Sequence, residues 1–286
     1  MTTREFQELS ESRIILLDGA TGSCLRAAGM PVGVSSEVWI LEHPETLIEL
    51  QRGYVGAPTF MVNRIGLSAH GLENRLEEMN RRLVALSKEA SGGRALVAGD
   101  VTTTGRPLEP VGSMTYAELD AIYREQISVL ADAGVDLLAV ETMLSIEEST
   151  VALEAAKAVC DLPVLCSLTM ESDGHLLFGG TAREAVETLS ALGASAVGLN
   201  CSVGPDQLES VVSELCASAT VPVLVKPNAG LPVIDAQGHA HYSMSPNEFA
   251  AAMRRLVDCG ARVVGGCCGT NPDYIHALKA ALETTK

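Results

Sequence analysis

No stretch of this 286-residue chain approaches the roughly 20 consecutive apolar residues that cross a bilayer. Its first segment, Met1 to Arg13, is polar and offers no apolar core of the kind a secretory signal needs. Membrane insertion and export are therefore not expected, and a cytoplasmic location is. Basic residues are also scarce: 20 Lys and Arg stand against 36 Asp and Glu, for a formal net charge of -16. That balance lacks the clustered cations of a nucleic-acid footprint, and it suits an anionic membrane surface no better. No low-complexity stretch, linker or repeat of 20 to 50 residues divides the chain. One domain over residues 1–286 is expected, since α/β barrels of about 250 residues fold as single units.

What the chain has is apolar residues, 47% of the total, enough for a large core without staples. It also has eight cysteines. In a chain this long with no secretory signal, metal binding or buried thiols explain cysteines better than disulfides do. Cys160, Cys216 and Cys259 lie in helical patterns and Cys166 in a strand run. These four read as small core residues.

Short β-branched runs alternate with amphipathic stretches. The strand candidates are Ile14–Asp18, Ala95–Asp100, Leu137–Glu141, Val164–Leu168, Ala196–Cys201, Val221–Lys226 and Arg262–Gly266. Between them lie helical patterns at Glu73–Ala90, Tyr116–Ala133, Ile146–Val159, Ala182–Leu192, Asp206–Ala219, Pro246–Cys259 and Pro272–Leu282. Gly134, Gly193 and Gly260 each follow a helical pattern and precede a strand, which is the C-cap preference for glycine. Alternation with this punctuation predicts βαβ units and a parallel sheet buried on both faces. The architecture expected is α/β, a (β/α)8 TIM barrel. Seven strands are visible where eight are needed. The second belongs between the helix Pro44–Val55 and the segment starting at Pro58. Either it is very short, around Thr59–Val62, and irregular, or the sequence lacks a few residues there.

Reactive side chains collect at the C-terminal ends of these runs: Asp18, Asp100, Glu141, Ser167, Asn200, Cys201, Lys226, Cys267 and Cys268. A barrel brings those ends to one face, where active sites lie. Cys201 and the adjacent pair Cys267 and Cys268 would then meet. Three thiolates make a zinc site with one open position, the pattern of a catalytic metal. The bland reading is a tight Gly-Gly-Cys-Cys turn with buried thiols; placement at strand ends favours zinc. Asp18 begins Asp-Gly-Ala-Thr-Gly, either a helix-capping turn or a carboxylate with backbone N–H groups that receives a polar ligand. Glu141 ends an apolar strand and requires a partner. A substrate ammonium is the favoured one, an internal pair with Lys226 the alternative. Lys226 as a Schiff-base nucleophile would leave the cysteines without a role. Asp173-Gly174-His175 is similar to the start of a corrinoid-binding Asp-x-His-x-x-Gly motif, but Phe178 takes the glycine position, so it reads as a surface loop.

Four motifs together resemble the homocysteine S-methyltransferase family over nearly the whole chain. They are Asp18-Gly19-Ala20-Thr21-Gly22, Gly198-Leu199-Asn200-Cys201, Lys226-Pro227-Asn228-Ala229-Gly230 and Gly265-Gly266-Cys267-Cys268-Gly269-Thr270. Within the family the chain looks most like the homocysteine-binding module of cobalamin-dependent methionine synthase. Pointers are Asn63-Arg64, Gly99-Asp100-Val101, Glu141-Thr142-Met143 and the run Asn200 to Pro205. The resemblance implies Zn2+ on Cys201, Cys267 and Cys268, homocysteine as methyl acceptor, and methionine as product. It also implies that Asp18, Gly19 and Glu141 hold the amino-acid end, with backbone near Ala20 and with Ser167 nearby, while Asn200 shapes the zinc surroundings. Pro58 to Arg64 departs from the family's usual loop, and Cys24 replaces an apolar residue. Both departures concern the donor side. The donor expected is methylcobalamin on a separate corrinoid protein. S-methylmethionine, S-adenosylmethionine and betaine are the small-molecule alternatives. A zinc- and thiol-binding subunit without turnover is the reading from another class.

Overall fold

A computed structural model describes residues 1–52, 58–235 and 240–283. The helices are α1 (Thr3–Ser12), α2 (Thr21–Ala27), α3 (Ser36–Glu42), α4 (Pro44–Gln51), α5 (Arg64–Ser68), α6 (Leu76–Ser91), α7 (Tyr116–Asp132), α8 (Ile146–Val159), α9 (Ala182–Ala191), α10 (Glu209–Ser218), α11 (Pro246–Asp258) and α12 (Pro272–Glu283). The strands are β1 (Ile15–Leu16), β2 (Ala98–Val101), β3 (Leu137–Met143), β4 (Val164–Leu168), β5 (Ala196–Asn200), β6 (Val223–Lys226), β7 (Pro232–Ile234), β8 (Ala240–Tyr242) and β9 (Val263–Val264). Among the described residues no helix is long and apolar enough to cross a membrane.

Local sequence chemistry places many of these boundaries. Thr2 with Glu5, Thr115 with Glu118, Thr181 with Glu184 and Ser245 with Glu248 form reciprocal capping boxes at the starts of α1, α7, α9 and α11. Each satisfies two backbone N–H groups that a helix start leaves unpaired. At the other end, Gly193 lies at φ +89°, with Ala194 N–H donating to Leu189 O at 3.0 Å. This left-handed turn closes α9 and starts the path into β5, as the glycine punctuation predicts.

The main sheet is wholly parallel, in the order β1-β9-β6-β5-β4-β3-β2, with helices crossing between successive strands. β4 and β5 are buried at every position, which explains their unbroken apolar reading. Close strand approach requires Gly198: a Cβ there would lie 1.8 Å from Leu224 O. The sheet curls into a TIM-barrel-like arrangement, and α1 carries Phe6 to its N-terminal end, where it packs with Leu137, Leu165, Ala196, Leu224 and Val263. Cys166 is fully buried, while Cys160, Cys216 and Cys259 are partly buried against the core.

The expected second strand at Thr59–Val62 is absent as a ladder strand. The segment turns instead, Val62 N–H donating to Thr59 O at 3.0 Å. Thr59 takes over some ladder contacts with its side chain: its hydroxyl donates to Asp100 O and accepts from Asp100 N–H, both at 2.8 Å. A hydroxyl satisfies the edge of β2 without extended backbone. The end of the expected Pro44–Val55 helix lies outside the described residues; α4 is observed to Gln51. The antiparallel β7–β8 pair has no counterpart in the sequence reading.

Candidate active site

The predicted strand-end residues do converge. Cys201, Cys267 and Cys268 bring their sulfurs within 4.8 Å of one another, and Cys201 Sγ lies 3.7 Å from Cys268 Sγ. Tetrahedral zinc with Zn–S of about 2.3 Å separates sulfurs by about 3.8 Å. The donor set therefore fits zinc and is too open for a disulfide, which needs about 2.05 Å. Cys201 reaches this position because its backbone turns to φ +52° directly after β5. Its N–H still donates to Lys226 O at 3.2 Å, so the turn stays attached to β6. On the other side Gly266 N–H donates to Asp18 O at 2.9 Å, and Thr270 Oγ1 donates to Cys267 O at 2.7 Å. These bonds hold the Cys-Cys turn against the Asp18 loop.

Three thiols this close cannot ionise independently. Hydrogen bonds from Cys201 and Cys267 pull the Cys268 thiol down to about 3. Its thiolate, accepting from both, pushes the other two up: Cys267 rises to about 11 despite the opposing bond from Cys201, and Cys201 rises as well. Tyr242, on β8, also hydrogen-bonds Cys268. Its ring lies where a Cβ on residue 269 would be, 2.3 Å away, so Gly269 admits it. Burial and the Cys268 charge raise the Tyr242 hydroxyl. The sequence reading missed Tyr242 because nothing in the chain signals a hairpin folding over the cysteines.

Asn200 is fully buried. Its Oδ1 accepts from Thr142 N–H at 2.7 Å and from Ser167 Oγ at 2.9 Å. Its Nδ2 donates to Thr142 Oγ1 at 2.7 Å and to Cys267 Sγ at 3.9 Å. Asn200 thus ties β3, β4 and the cysteine turn together, and Thr142 meets it at φ +58°. Ser167 is buried and spends its hydroxyl on Asn200. The Ala20 N–H donates to Thr270 Oγ1 at 3.1 Å.

Below the thiols, Lys226 Nζ lies 2.9 Å from Glu141 Oε2 and 3.0 Å from Asp18 Oδ1. The internal partner named as the alternative for Glu141 is present. Burial works against the Lys226 charge, but Asp18 and Glu141 outweigh it and raise its pKa well above the usual lysine range. A Schiff-base lysine needs the opposite shift. Burial raises Glu141, opposed by Lys226. Asp100 is raised further, by burial and by the Glu141 charge. These four side chains, with Gly19, Ser167 and the three cysteines, line one cavity. Asp173 and His175 form an exposed turn.

The family model for homocysteine S-methyltransferase matches residues 15–282. The chain is 29% identical over 304 residues to the methionine synthase of Mycobacterium tuberculosis (strain ATCC 25618 / H37Rv), and 29% identical over 306 residues to that of Mycobacterium leprae (strain TN). The alignments cover 98% and 96% of this chain and 25% of each relative, so the chain spans about a quarter of their length. Among solved structures, the metallated form of the homocysteine methyltransferase MmuM from Escherichia coli superposes with a TM-score of 0.79 at 26% identity, covering 95% of this chain and 97% of that one. Its oxidized form gives 0.78, covering 93% and 95%. The chain belongs to the homocysteine S-methyltransferase family, whose chemistry is methyl transfer to the thiol of homocysteine.

Proposed function

We propose that this chain is a single zinc-barrel domain, cytoplasmic in location, that methylates homocysteine to methionine with methylcobalamin on a separate corrinoid protein as donor. The observation that carries the reading is the cluster of Cys201, Cys267 and Cys268 at the C-terminal strand ends, with their sulfurs within 4.8 Å of one another. These three would hold the metal. A zinc ion held there would supply the charge that keeps an acceptor thiol ionised at neutral pH, where a free thiol near pKa 8.5 is mostly protonated.

The chain's own residues position and hold. Asn200 orients Cys267, and Tyr242 orients Cys268. Asp18, Gly19 and Glu141 hold the amino-acid end, with Ala20 and Ser167 close by. Lys226 bridges the two carboxylates. The acceptor sulfur loses its proton to solvent and forms a bond to the methyl carbon with its own electron pair, while the bond from that carbon to the donor breaks and its pair leaves with the demethylated donor. A substrate thiolate placed in line with the donor needs no general acid.

The resemblance of Asn63-Arg64, Glu141-Thr142-Met143 and the run Asn200 to Pro205 to the cobalamin-dependent methionine synthase module supports the corrinoid donor. A small-molecule donor, S-methylmethionine, S-adenosylmethionine or betaine, is the second reading. It is favoured by the near-complete mutual coverage with the E. coli homocysteine methyltransferase. Zinc-loaded protein and homocysteine offered methylcobalamin and each small donor in parallel, with methionine quantified, tests both. Methionine from methylcobalamin supports the first reading, and methionine from a sulfonium or betaine alone supports the second. Zinc and homocysteine bound without turnover, even with a methylated corrinoid protein added, would identify a binding subunit.

A further inference from the structure

A thiolate acceptor on a metal held here would share it with the sulfurs of Cys201, Cys267 and Cys268. Each of those is also a nucleophile towards a methyl donor, and a methylated cysteine is a neutral thioether that no longer serves as a thiolate ligand. The three cysteines are all partly exposed, and their sulfurs lie within 4.8 Å of one another. Neither burial nor distance therefore keeps the methyl group off the protein.

Hydrogen bonds do separate the sulfurs. Asn200 Nδ2 donates to Cys267 Sγ at 3.9 Å. Thr142 N–H and Ser167 Oγ hold the other end of this buried amide, so it cannot flip away. The Tyr242 hydroxyl donates to Cys268 Sγ. Its ring occupies the space that Gly269 leaves open. The hairpin that carries it is fixed by Pro232 pairing with Tyr242 and by Met244 N–H donating to Ala229 O at 3.1 Å. Among the described residues, Cys201 Sγ meets only the other two sulfurs.

A thiolate that accepts a hydrogen bond is less basic, and its nucleophilicity falls with its basicity, though less steeply. Resting on the methyl-transfer reading above, we propose that Asn200 and Tyr242 are specificity-determining residues that decide which sulfur takes the methyl group. They blunt Cys267 and Cys268 and leave the acceptor sulfur the better nucleophile. Cys201, without such a donor, is the protein's own point of stray methylation.

The test uses zinc-loaded protein, without homocysteine, and methyl iodide as the electrophile. A cysteine sulfur bonds the methyl carbon with its own electron pair, and the carbon–iodine pair leaves with iodide. Peptide mass mapping follows S-methylcysteine at positions 201, 267 and 268 over time. In wild type Cys201 should react fastest. Tyr242→Phe keeps the ring against Gly269 and removes only the hydroxyl. It should raise the rate at Cys268, relative to Cys201 in the same molecule, about 3- to 10-fold, the effect of one charge-assisted hydrogen bond. Asn200→Ala should do the same at Cys267. A merely structural role would speed all three cysteines alike, and an unchanged ratio in either variant overturns the assignment. Should a variant not fold, wild type still decides: Cys267 or Cys268 methylated faster than Cys201 overturns it equally. Unchanged ratios in a protein that holds zinc and methylates homocysteine sink this assignment alone; a wild type that binds no zinc sinks the methyl-transfer reading with it.

Discussion

Asn200 and Cys267 meet across the barrel mouth, amide nitrogen to sulfur at 3.9 Å, although 66 residues of chain separate them. The same amide group bonds Thr142 and Ser167. One buried side chain therefore fixes the orientation of a metal-binding thiol and the end of two strands. Partners of this kind tune metal sites by orienting the ligands themselves.

Asn200→Ala should lower zinc affinity about 10- to 100-fold, the usual effect of removing such a partner. It also leaves the Thr142 N–H without its acceptor, a loss of about 1–3 kcal/mol in stability. Competition with a chromophoric chelator measures the first, and urea unfolding of the metal-free protein measures the second. Wild-type affinity in the variant would show that Asn200 does not act on the cluster.

Cys268→Ala removes a ligand rather than its support. Zinc affinity should fall by more than the roughly 10–100-fold of an outer partner, with methyl transfer lost and the circular dichroism of the barrel retained. Metal analysis after gel filtration is the check; full zinc content in this variant would rule the site out.

Lys226→Met removes the cation that Asp18 and Glu141 share among the described residues. Breaking a buried ion pair on one side costs about 3–5 kcal/mol, because the acids remain charged without compensation. The cost should shrink as pH falls. Burial raises Glu141 in the native protein, so without Lys226 the native state takes up this proton before the unfolded chain does, and stability declines as pH rises. Denaturant unfolding of the variant at pH 5 and pH 7 reads the difference; equal losses at both would contradict it.

Cys166 carries an alkaline dependence. Burial alone pushes its thiol up to about 12 from an ordinary 9.0. The unfolded thiol therefore ionises first, and stability is lost as pH rises from 9.0 towards 12, by about 1.4 kcal/mol per pH unit within that window. Below 9.0 this contribution is fully present. Cys166→Ala should flatten that part of the unfolding curve. A thiol reagent should also leave Cys166 untouched in the native protein while it labels the unfolded one.

Much of the frame is legible in the chain because its causes are local. The capping boxes at Thr115 and Thr181, the glycines at 134 and 193 and the apolar runs at Val164–Leu168 and Ala196–Asn200 act within a few residues of themselves. They state where elements begin and end. The three cysteines read as one site because each follows a strand, and parallel strands share an end. The segment after Pro58 was only partly legible. Its extended propensity suggested a strand, whereas Thr59 satisfies β2 with a hydroxyl, which no period of two can reveal.

The sequence by itself therefore determined the alternation of strands and helices, the single face on which Asp18, Glu141, Asn200 and the cysteines gather, and the thiol chemistry of that face. Tertiary structure alone decided who pairs with whom there. Lys226 could have met a substrate or an acid; sheet curvature set it between Asp18 and Glu141 and left Asp100 unpaired. Tyr242 reaches Cys268 only because a hairpin folds over Gly269. Such choices depend on distances between strands far apart in sequence, and those distances follow from the curl of the sheet rather than from any local preference.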